Sequence, residues 1–593
     1  MSIDLPPSPA ASGHDSAARP RKLLTRRLPP LYYLHNFRGA MQSLEQRYAT
    51  LMSDAERAFI RTFAGLAEPS QCLLTRMLMR KGPTFKRATL RYPEIPQPHV
   101  ALEQLAEHGW VETDPVLSAL ELQRMLGPTQ RREVSGSGGR RPAAARDAMQ
   151  FLLPIATEPA TPRPLSQWHQ RLAATHVHLA IEPLARRLQF LYFGNDWQTW
   201  AEFVLTDLGL QRYEEVPYDA ASCAFTCRAE IEHFYRLNEC IARSRHGEPA
   251  ASIVPDAWRP EGVSEWLAAR FARLHLELGE LLQRQGQNEL ALQTWRNCPM
   301  AAARIRLVRL QERLGMVASA RNEAEAALRL AAGETERRAM ATALKRLRRR
   351  LGEQPAQDAP RSRPAVIRLS LPEAPDQRIE RRVCAALSSG DCQAFYVENS
   401  LFPALFALLC WDAIFAPLPG AFFHPFQSGP ADLFTPEFRV RRAALLDAQL
   451  ALLDADAHRD VIWRNYHAKT GISSRLVRWG RLRPQVLSLA LACIPPAHLK
   501  LIFAEMLEDL EHHRTGLPDL VLFRRDQPSY QLLEVKAPGD RLQDNQRRWM
   551  EFFARQGIPA AVCTVTWTVQ NPAPLADQRD QDDQWQRYTQ QEQ

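Results

Sequence analysis

The residues best suited to chemistry lie near the C-terminal end. From Gly516 to Gln546 the chain reads GLPDLVLFRRDQPSYQLLEVKAPGDRLQDNQ. Asp519, behind a proline, enters the apolar run Leu520 to Phe523. A polar turn follows, and a second run, Tyr530 to Leu533, ends in Glu534-Val535-Lys536. Two short β-type runs joined by a turn read as a hairpin. Alternation then puts Glu534 and Lys536 on one face, because side chains two apart in a strand point the same way. With Asp519 at the start of the paired strand, two carboxylates and an ammonium converge. Oxygen ligands of this kind suit Mg²⁺ or Mn²⁺, which keep several waters and contact a substrate phosphate. An isolated Glu-x-Lys on a strand is usually a solvated cross-strand pair. The Pro-Asp head, the paired strands and the helix that follows lift this one above that reading.

The rest of the chain must position these groups. At 593 residues it exceeds what one core supports and predicts several domains. Its net charge of +9 and pI near 9.1 favour a polyanionic partner, nucleic acid or anionic membrane alike. No apolar run reaches the roughly 18 residues of a membrane span. The longest, Leu401 to Phe415, holds Pro403 and Asp412 and reads as a buried helix. Residues 1–20 lack the apolar core of a signal peptide. The ten cysteines form no CxxC pair, and the Cys223/Cys227 spacing finds no matching pair for zinc, so reduced thiols are expected. A soluble protein that is not secreted follows.

Residues 1–30 read as a disordered basic tail. Amphipathic helices follow at Tyr32 to Met52, Ser53 to Gly65 (with Ser53 and Glu56 in capping-box spacing), Ser70 to Arg80 and His99 to His108. Between the last two, Arg80, Lys81, Lys86, Arg87 and Arg91 alternate with Phe85 and Tyr92. Three helices with a small β-wing over residues 31–114 suit a winged-helix-like DNA reader, although a solvated basic loop explains the charge equally well. Residues 115–163 hold a short helix, read as a SAP-like segment, and a basic loop with Arg140 and Arg141, either a phosphate contact or a linker. Residues 164–257 are helical again; the helical spacing of Phe190, Tyr192, Phe193, Trp197, Trp200 and Phe203 marks core rather than a base-stacking platform.

Over residues 258–352 an internal similarity pairs Gly286 with Gly315 and Ala291 with Ala320. It predicts TPR-like helical hairpins, close-packed at those small residues, that serve as a scaffold or partner surface. The closing KRLRRR, Lys345 to Arg350, is either a solvated helix end or a DNA contact. Residues 353–364 form a linker, 365–569 a final α/β domain and 570–593 a disordered tail. Val366 to Leu371 predicts a strand, and Gln377 to Leu387 a helix. A third carboxylate is available from either Glu380 or Glu398, and the residues alone do not choose. His424, Asp432, Glu437 and Arg439 to Arg442, in the helical stretch before Asp519, receive no chemistry. His512 and His513 are expected at the surface or against substrate. Asp540 is expected to cap the helix after the hairpin, and Arg541 to meet DNA phosphate or a surface carboxylate.

The hairpin carries the nuclease signature PD…(D/E)xK. Its flanks GLPDLVLF and LLEVKAPGDRLQDNQ, with VENSLFPALFALLCWDAIF and the phrase YFGN…W.EFVL.DLG…YE between Tyr192 and Glu214, resemble the VRR-NUC nuclease module and most closely the Fanconi-associated nuclease family. The resemblance implies a mainly α, multidomain chain: a helical, winged-helix-like N-terminal DNA-binding region, TPR-like repeats and a C-terminal nuclease domain with a central mixed sheet. It selects Glu398 as the remaining member of a metal site, beside Asp519 and Glu534 as direct ligands and the Val535 carbonyl as a further contact. Lys536 would orient or help deprotonate the attacking water. Gln546 matches a glutamine that often follows the motif and would position water or phosphate.

The implied activity is Mg²⁺- or Mn²⁺-dependent cleavage of 5′ flaps and branched DNA, with 5′–3′ trimming, in interstrand-crosslink repair. A Holliday-junction resolvase or RNA nuclease with the same site is the alternative enzyme; a catalytically silent repair scaffold is the alternative outside enzymes. The implied location is the nucleoid in a bacterium or the nucleus in a eukaryote. Two departures stand out. No ubiquitin-binding zinc finger precedes Leu31, so recruitment through ubiquitin is not expected. Asn545 stands where some relatives carry a lysine implicated in holding a 5′ phosphate, which implies less dependence on a terminal phosphate.

Overall fold

The computed structural model describes residues 31–80, 82–118, 122, 162–168, 170–195, 197–202, 211–217, 222–258, 260–331, 334–353, 364–373 and 377–568. Lys81, Phe203, Arg140, Arg141 and both expected tails lie outside them. The chain divides into two compact units: Met1–Gly247 with Gly262–Ser264 and Leu418–Gln427, and Glu248–Glu261 with Glu265–Pro417 and Ser428–Gln593.

The first unit opens with helices Tyr32–Tyr48, Asp54–Gly65 and Glu68–Leu78. The expected capping box is present: Glu56 N donates to Ser53 Oγ at 3.2 Å, and Ser53 N to Glu56 Oε2 at 2.8 Å. The buried Glu56 carboxylate also takes Arg228 at 2.5 Å, which ties this helix to Arg228–Arg245. Strand β1 (Thr84–Lys86) pairs antiparallel with a strand over ninety residues further on, His176–His178. The wing therefore closes through a long-range contact that local patterning could not show. Helix Pro98–Glu107 follows β1. The core is aromatic: Phe37 meets Phe63 and Trp200, and Phe193 meets Trp200 and His424. Phe190, Tyr192, Phe193 and Trp200 are buried as expected, but Trp197 is 57% exposed.

In the second unit, helices Glu265–Arg284, Asn288–Arg296, Ala301–Arg313, Val317–Leu330 and Glu334–Arg350 pack in succession. Ala291 and Ala320 are fully buried, as close packing requires. Gly286 and Gly315 are not packing residues. They sit at φ 77° and 79° with open space around them, so their shared role is to turn the chain between helices. The glycine that permits close approach is Gly279, where a Cβ would lie 2.2 Å from the Trp295 indole nitrogen. In KRLRRR, Arg346 pairs with Glu312 and Arg348 with Glu325, while Leu347 is buried, which favours an ion-paired helix face.

The same unit contains a five-stranded mixed sheet. In chain order its strands are β3 (Ala365–Pro372), β4 (Cys392–Tyr396), β5 (Leu520–Arg524), β6 (Ser529–Lys536) and β7 (Ala560–Thr568), with β2 assigned to His176–His178 of the first unit. The spatial order is β3-β7-β6-β5-β4. The pairs β3/β7 and β6/β7 are parallel, and β6/β5 and β5/β4 antiparallel. Helix Asp544–Gln556 makes the crossover that a parallel β6/β7 pair requires. Leu520, Leu533, Ala561, Cys563 and Val565 form the sheet's core with Val383 from helix Ile379–Leu387. Leu401–Leu409 is buried at every residue, and Trp411–Ile414 continues it after a break at Cys410. Between β4 and β5 the chain is otherwise mainly helical.

Candidate active site

Strand register assembles the site. Leu520 on β5 faces Leu533 on β6. Continuing that register by one residue sets Asp519 opposite Glu534, and Asp519 Oδ2 accepts the Val535 N–H at 2.9 Å. On the other side, Tyr396 on β4 faces Leu520. Val397 N donates to Asp519 O at 2.8 Å, extending the pairing by one step. Glu398 comes next, at the edge where Asp519 lies. Asn399 then takes φ 49°, a conformation that asparagine tolerates, and its Oδ1 accepts the Leu517 N–H at 3.1 Å. That bond joins the loop after Glu398 to the loop before Asp519. Residues over a hundred positions apart are thereby held by three adjacent strand ends.

Glu534 and Lys536 share a face as alternation requires, with Lys536 Nζ 2.8 Å from Glu534 Oε1. Glu534 is 1% exposed and Asp519 8%. The ammonium lies off the line of a hydrogen bond, so Glu534 Oε1 is a buried oxygen without an aligned donor among the described residues. Lys536 Nζ does donate to Gln546 Oε1 at 2.9 Å, and Gln543 N donates to the same oxygen at 2.9 Å. The helix after the hairpin is capped by Gln543 with Gln546 in a reciprocal capping box. Asp540 is therefore not its cap: the helix starts four residues later, at Asp544, and Asp540 N instead closes a turn onto Ala537 O. Gly516, at φ 81°, lets the loop before Asp519 pass this helix start; a Cβ there would lie 2.7 Å from the Asn545 carbonyl carbon.

Electrostatics make the site an acceptor for a cation. Burial, then the Asp519 charge, push the Glu534 carboxyl up to about 8, against the opposing Lys536 contact. Burial also raises Asp519 to about 6; the Val535 N–H opposes it, and the Glu398 and Glu380 charges add to it. The Glu398 charge raises both carboxyls, and the Glu380 charge also raises Asp519. Tyr396 donates its hydroxyl to Glu398 Oε2. Burial, then that bond, push the phenol up to about 12. Among the described residues, no three acidic, histidine or cysteine side chains already converge as a closed ligand set. The donors nonetheless fit a hard divalent cation: two buried carboxyls whose charged forms burial penalises, with the Glu398 charge acting on both.

Other expected residues fall elsewhere. His513 is neither exposed nor available to substrate: it is 1% exposed, and its Nδ1 lies 2.5 Å from Glu505 O. His512 is exposed, with Nδ1 2.9 Å from Asp509 Oδ1. Asp432 and Arg442 form a buried ion pair at 2.8 Å, a structural contact. Lys86, Arg87 and Arg91 are exposed around β1 and the turn that follows, and Arg80 stacks over Phe85 at 5.3 Å. Arg541 is exposed. Residue types alone do not mark Tyr396 and Asn399. Tyr396 lies two residues before Glu398 on a β-type run, a spacing that would have placed both on one face.

Two family models match parts of the chain. The VRR-NUC domain matches residues 454–567, and the FAN1 HTH domain residues 31–112. A Fanconi-associated nuclease 1 homolog from Pseudomonas aeruginosa is 40% identical over 566 residues, covering 94% of this chain and all of that one. The Arabidopsis thaliana homolog is 23% identical across 90% of this chain and 67% of its own length. The human Fanconi-associated nuclease 1 is 34% identical over 182 residues, 30% of this chain and 18% of that one. A crystal structure of paFAN1 bound to 5′ flap DNA with a 2-nucleotide flap and a gap superposes with a TM-score of 0.82 at 39% identity, covering 92% of this chain and 99% of that one. On full-length identity and fold together, the chain belongs to the Fanconi-associated nuclease family.

Proposed function

We propose that this protein is a divalent-metal-dependent, structure-specific DNA endonuclease that cuts 5′ flaps and branched DNA, trims in the 5′–3′ direction and acts in interstrand-crosslink repair. The observation that carries the reading is the buried pair Asp519–Glu534, joined by Lys536 and bordered by Glu398. Asp519, Glu534 and Glu398, with the Val535 carbonyl, are the residues that would hold Mg²⁺ or Mn²⁺. Such an ion, when bound, supplies Lewis-acid activation of water and charge neutralisation at phosphate.

The chain's own residues do the rest. Lys536, held by Gln546, keeps an ammonium beside the carboxylates, where it orients the attacking water and offsets charge that builds on the phosphoryl oxygens. Gln546 acts through Lys536 and through the helix start that it caps. The exposed Arg80, Lys86, Arg87 and Arg91, with Arg541, contact the DNA backbone; Lys81, Arg140 and Arg141 are assigned the same role. Solved structures of paFAN1 with 5′ flap DNA support flap DNA as the substrate. The TPR-like helices offer a protein partner a surface, and the protein works where the DNA is, in nucleoid or nucleus. Among the described residues no single helix is long and apolar enough to cross a membrane.

The test is a parallel incubation of labelled 5′ flap, 3′ flap, four-way junction and single-stranded RNA with each metal. Preferred cutting of the 5′ flap is expected. Asp519→Ala and Lys536→Ala should each abolish cutting while leaving flap binding largely intact. Preference for the junction would replace this reading with a resolvase, and cutting of nothing would replace it with a scaffold.

A further inference from the structure

We infer that Tyr396 is the positioning residue for Glu398, and that it sets the affinity of the site for its metal by holding one carboxylate oxygen so that the other faces Asp519 and Glu534. The inference rests on the proposed nuclease reading and names a residue that the PD…(D/E)xK signature does not contain.

Glu398 lies just past the end of β4, the least constrained of the three strand-end positions that build the site. Asp519 is held by the Val535 N–H, and Glu534 lies within β6 beside Lys536. The contact that restrains the Glu398 side chain is the Tyr396 hydroxyl on Oε2, from the residue two positions earlier on the same face of the strand. A phenol donates one proton, so it engages one carboxylate oxygen and leaves Oε1 with its lone pairs uncommitted. The tyrosine is itself fixed. Its backbone is registered against Leu520, and the Arg481 guanidinium lies over its ring at 5.3 Å. Groups one step out from a metal's ligands orient them, and their loss typically weakens metal binding about 10–100-fold. Arg481, Tyr396 and Glu398 form such a chain: the guanidinium over the ring holds the phenol, and the phenol holds the carboxylate.

The experiment is a Mn²⁺ titration of the full chain without DNA, read by electron paramagnetic resonance, alongside metal-dependent flap cleavage. Tyr396→Phe keeps the ring and removes only the hydroxyl. It should weaken Mn²⁺ binding about 10–100-fold and raise the metal concentration for half-maximal cleavage by a similar factor. At saturating Mn²⁺ its kcat should return to near the wild-type value, a split that a general loss of fold would not produce. Arg481→Ala, which leaves the hydroxyl in place, should weaken binding in the same direction by less. Glu398→Gln should lose the same site, and adding Tyr396→Phe to it should cost nothing further. Unchanged or tighter Mn²⁺ binding by Tyr396→Phe, or an equal loss in the Glu398→Gln background, overturns the inference. Failure of the wild-type protein both to bind Mn²⁺ and to cleave flap DNA would instead overturn the nuclease reading itself.

Discussion

Two carboxylic acids sit buried a strand apart, and their proton affinities are the chemical signature of the site. Burial penalises their charged forms and pushes Asp519 up to about 6 and Glu534 up to about 8. Both values lie above those of the unfolded chain, so the folded protein holds protons that the unfolded chain has released. Stability from this source is fully present below about pH 4 and is lost as pH rises through about 6 and then about 8. The metal-free protein should therefore lose Tm between these values. Glu534→Gln, which cannot ionise, should flatten that fall and melt above wild type at about pH 8. Differential scanning calorimetry decides it: a Tm difference between variant and wild type that is the same at both ends of the window would contradict the burial argument. Ligands must lose protons to bind a cation, so Mg²⁺ should raise the wild-type Tm more at the alkaline end than at the acid end.

At the level of elements, the site depends on how closely the loop before Asp519 approaches the helix Asp544–Gln556. Gly516→Ala places a Cβ against the Asn545 backbone in addition to the strain of φ 81°. Gly315→Ala carries similar strain at φ 79° but meets open space. A strained backbone position costs about 1–3 kcal/mol, so Gly315→Ala should stay within that range in a urea melt with cleavage unchanged. Gly516→Ala should exceed it, because the clash adds to the strain, and should also cut flap cleavage, since the helix start carries Gln546 and through it Lys536. Equal costs for the two variants would mean that the close approach does not bear on the site. The shared φ of Gly286 and Gly315 also explains why the repeat is visible in the sequence: the recurring residue marks the turn between helices, and the buried alanines mark the packing.

Across the whole molecule, the proposed DNA contacts among the described residues are exposed basic residues. The exposed Arg87 and Arg91 lie outside the catalytic unit, so they should govern affinity rather than chemistry. Each phosphate contact releases counterions, and its loss should lower the slope of log K against log salt by about 1. Arg87→Ala and Arg91→Ala are each expected to weaken flap binding similarly for every DNA sequence and to reduce that slope, with kcat at saturating DNA unchanged. Fluorescence anisotropy across a salt series checks this; an unaltered slope would mark both as solvated arginines.

The local pattern was enough for the hairpin, the shared face of Glu534 and Lys536, the Ser53–Glu56 capping box and the buried helix after Glu398, because each follows from alternation or helical spacing over a few residues. Resemblance, rather than spacing, selected Glu398 over Glu380, and strand register sets Val397, the residue before Glu398, against Asp519. What the local pattern could not contain was set by long-range register. The wing strand from His176–His178, the step that brings Glu398 beside Asp519, and the late helix start that makes Gln546 rather than Asp540 part of the cap all depend on segments distant in sequence or on a packed turn. Side-chain alternation is a property of one strand, but which strand end meets which is decided only when the sheet buries its common core. Tertiary structure alone thus set Asp519 and Glu398, at adjacent strand ends, beside the acid-x-lysine motif.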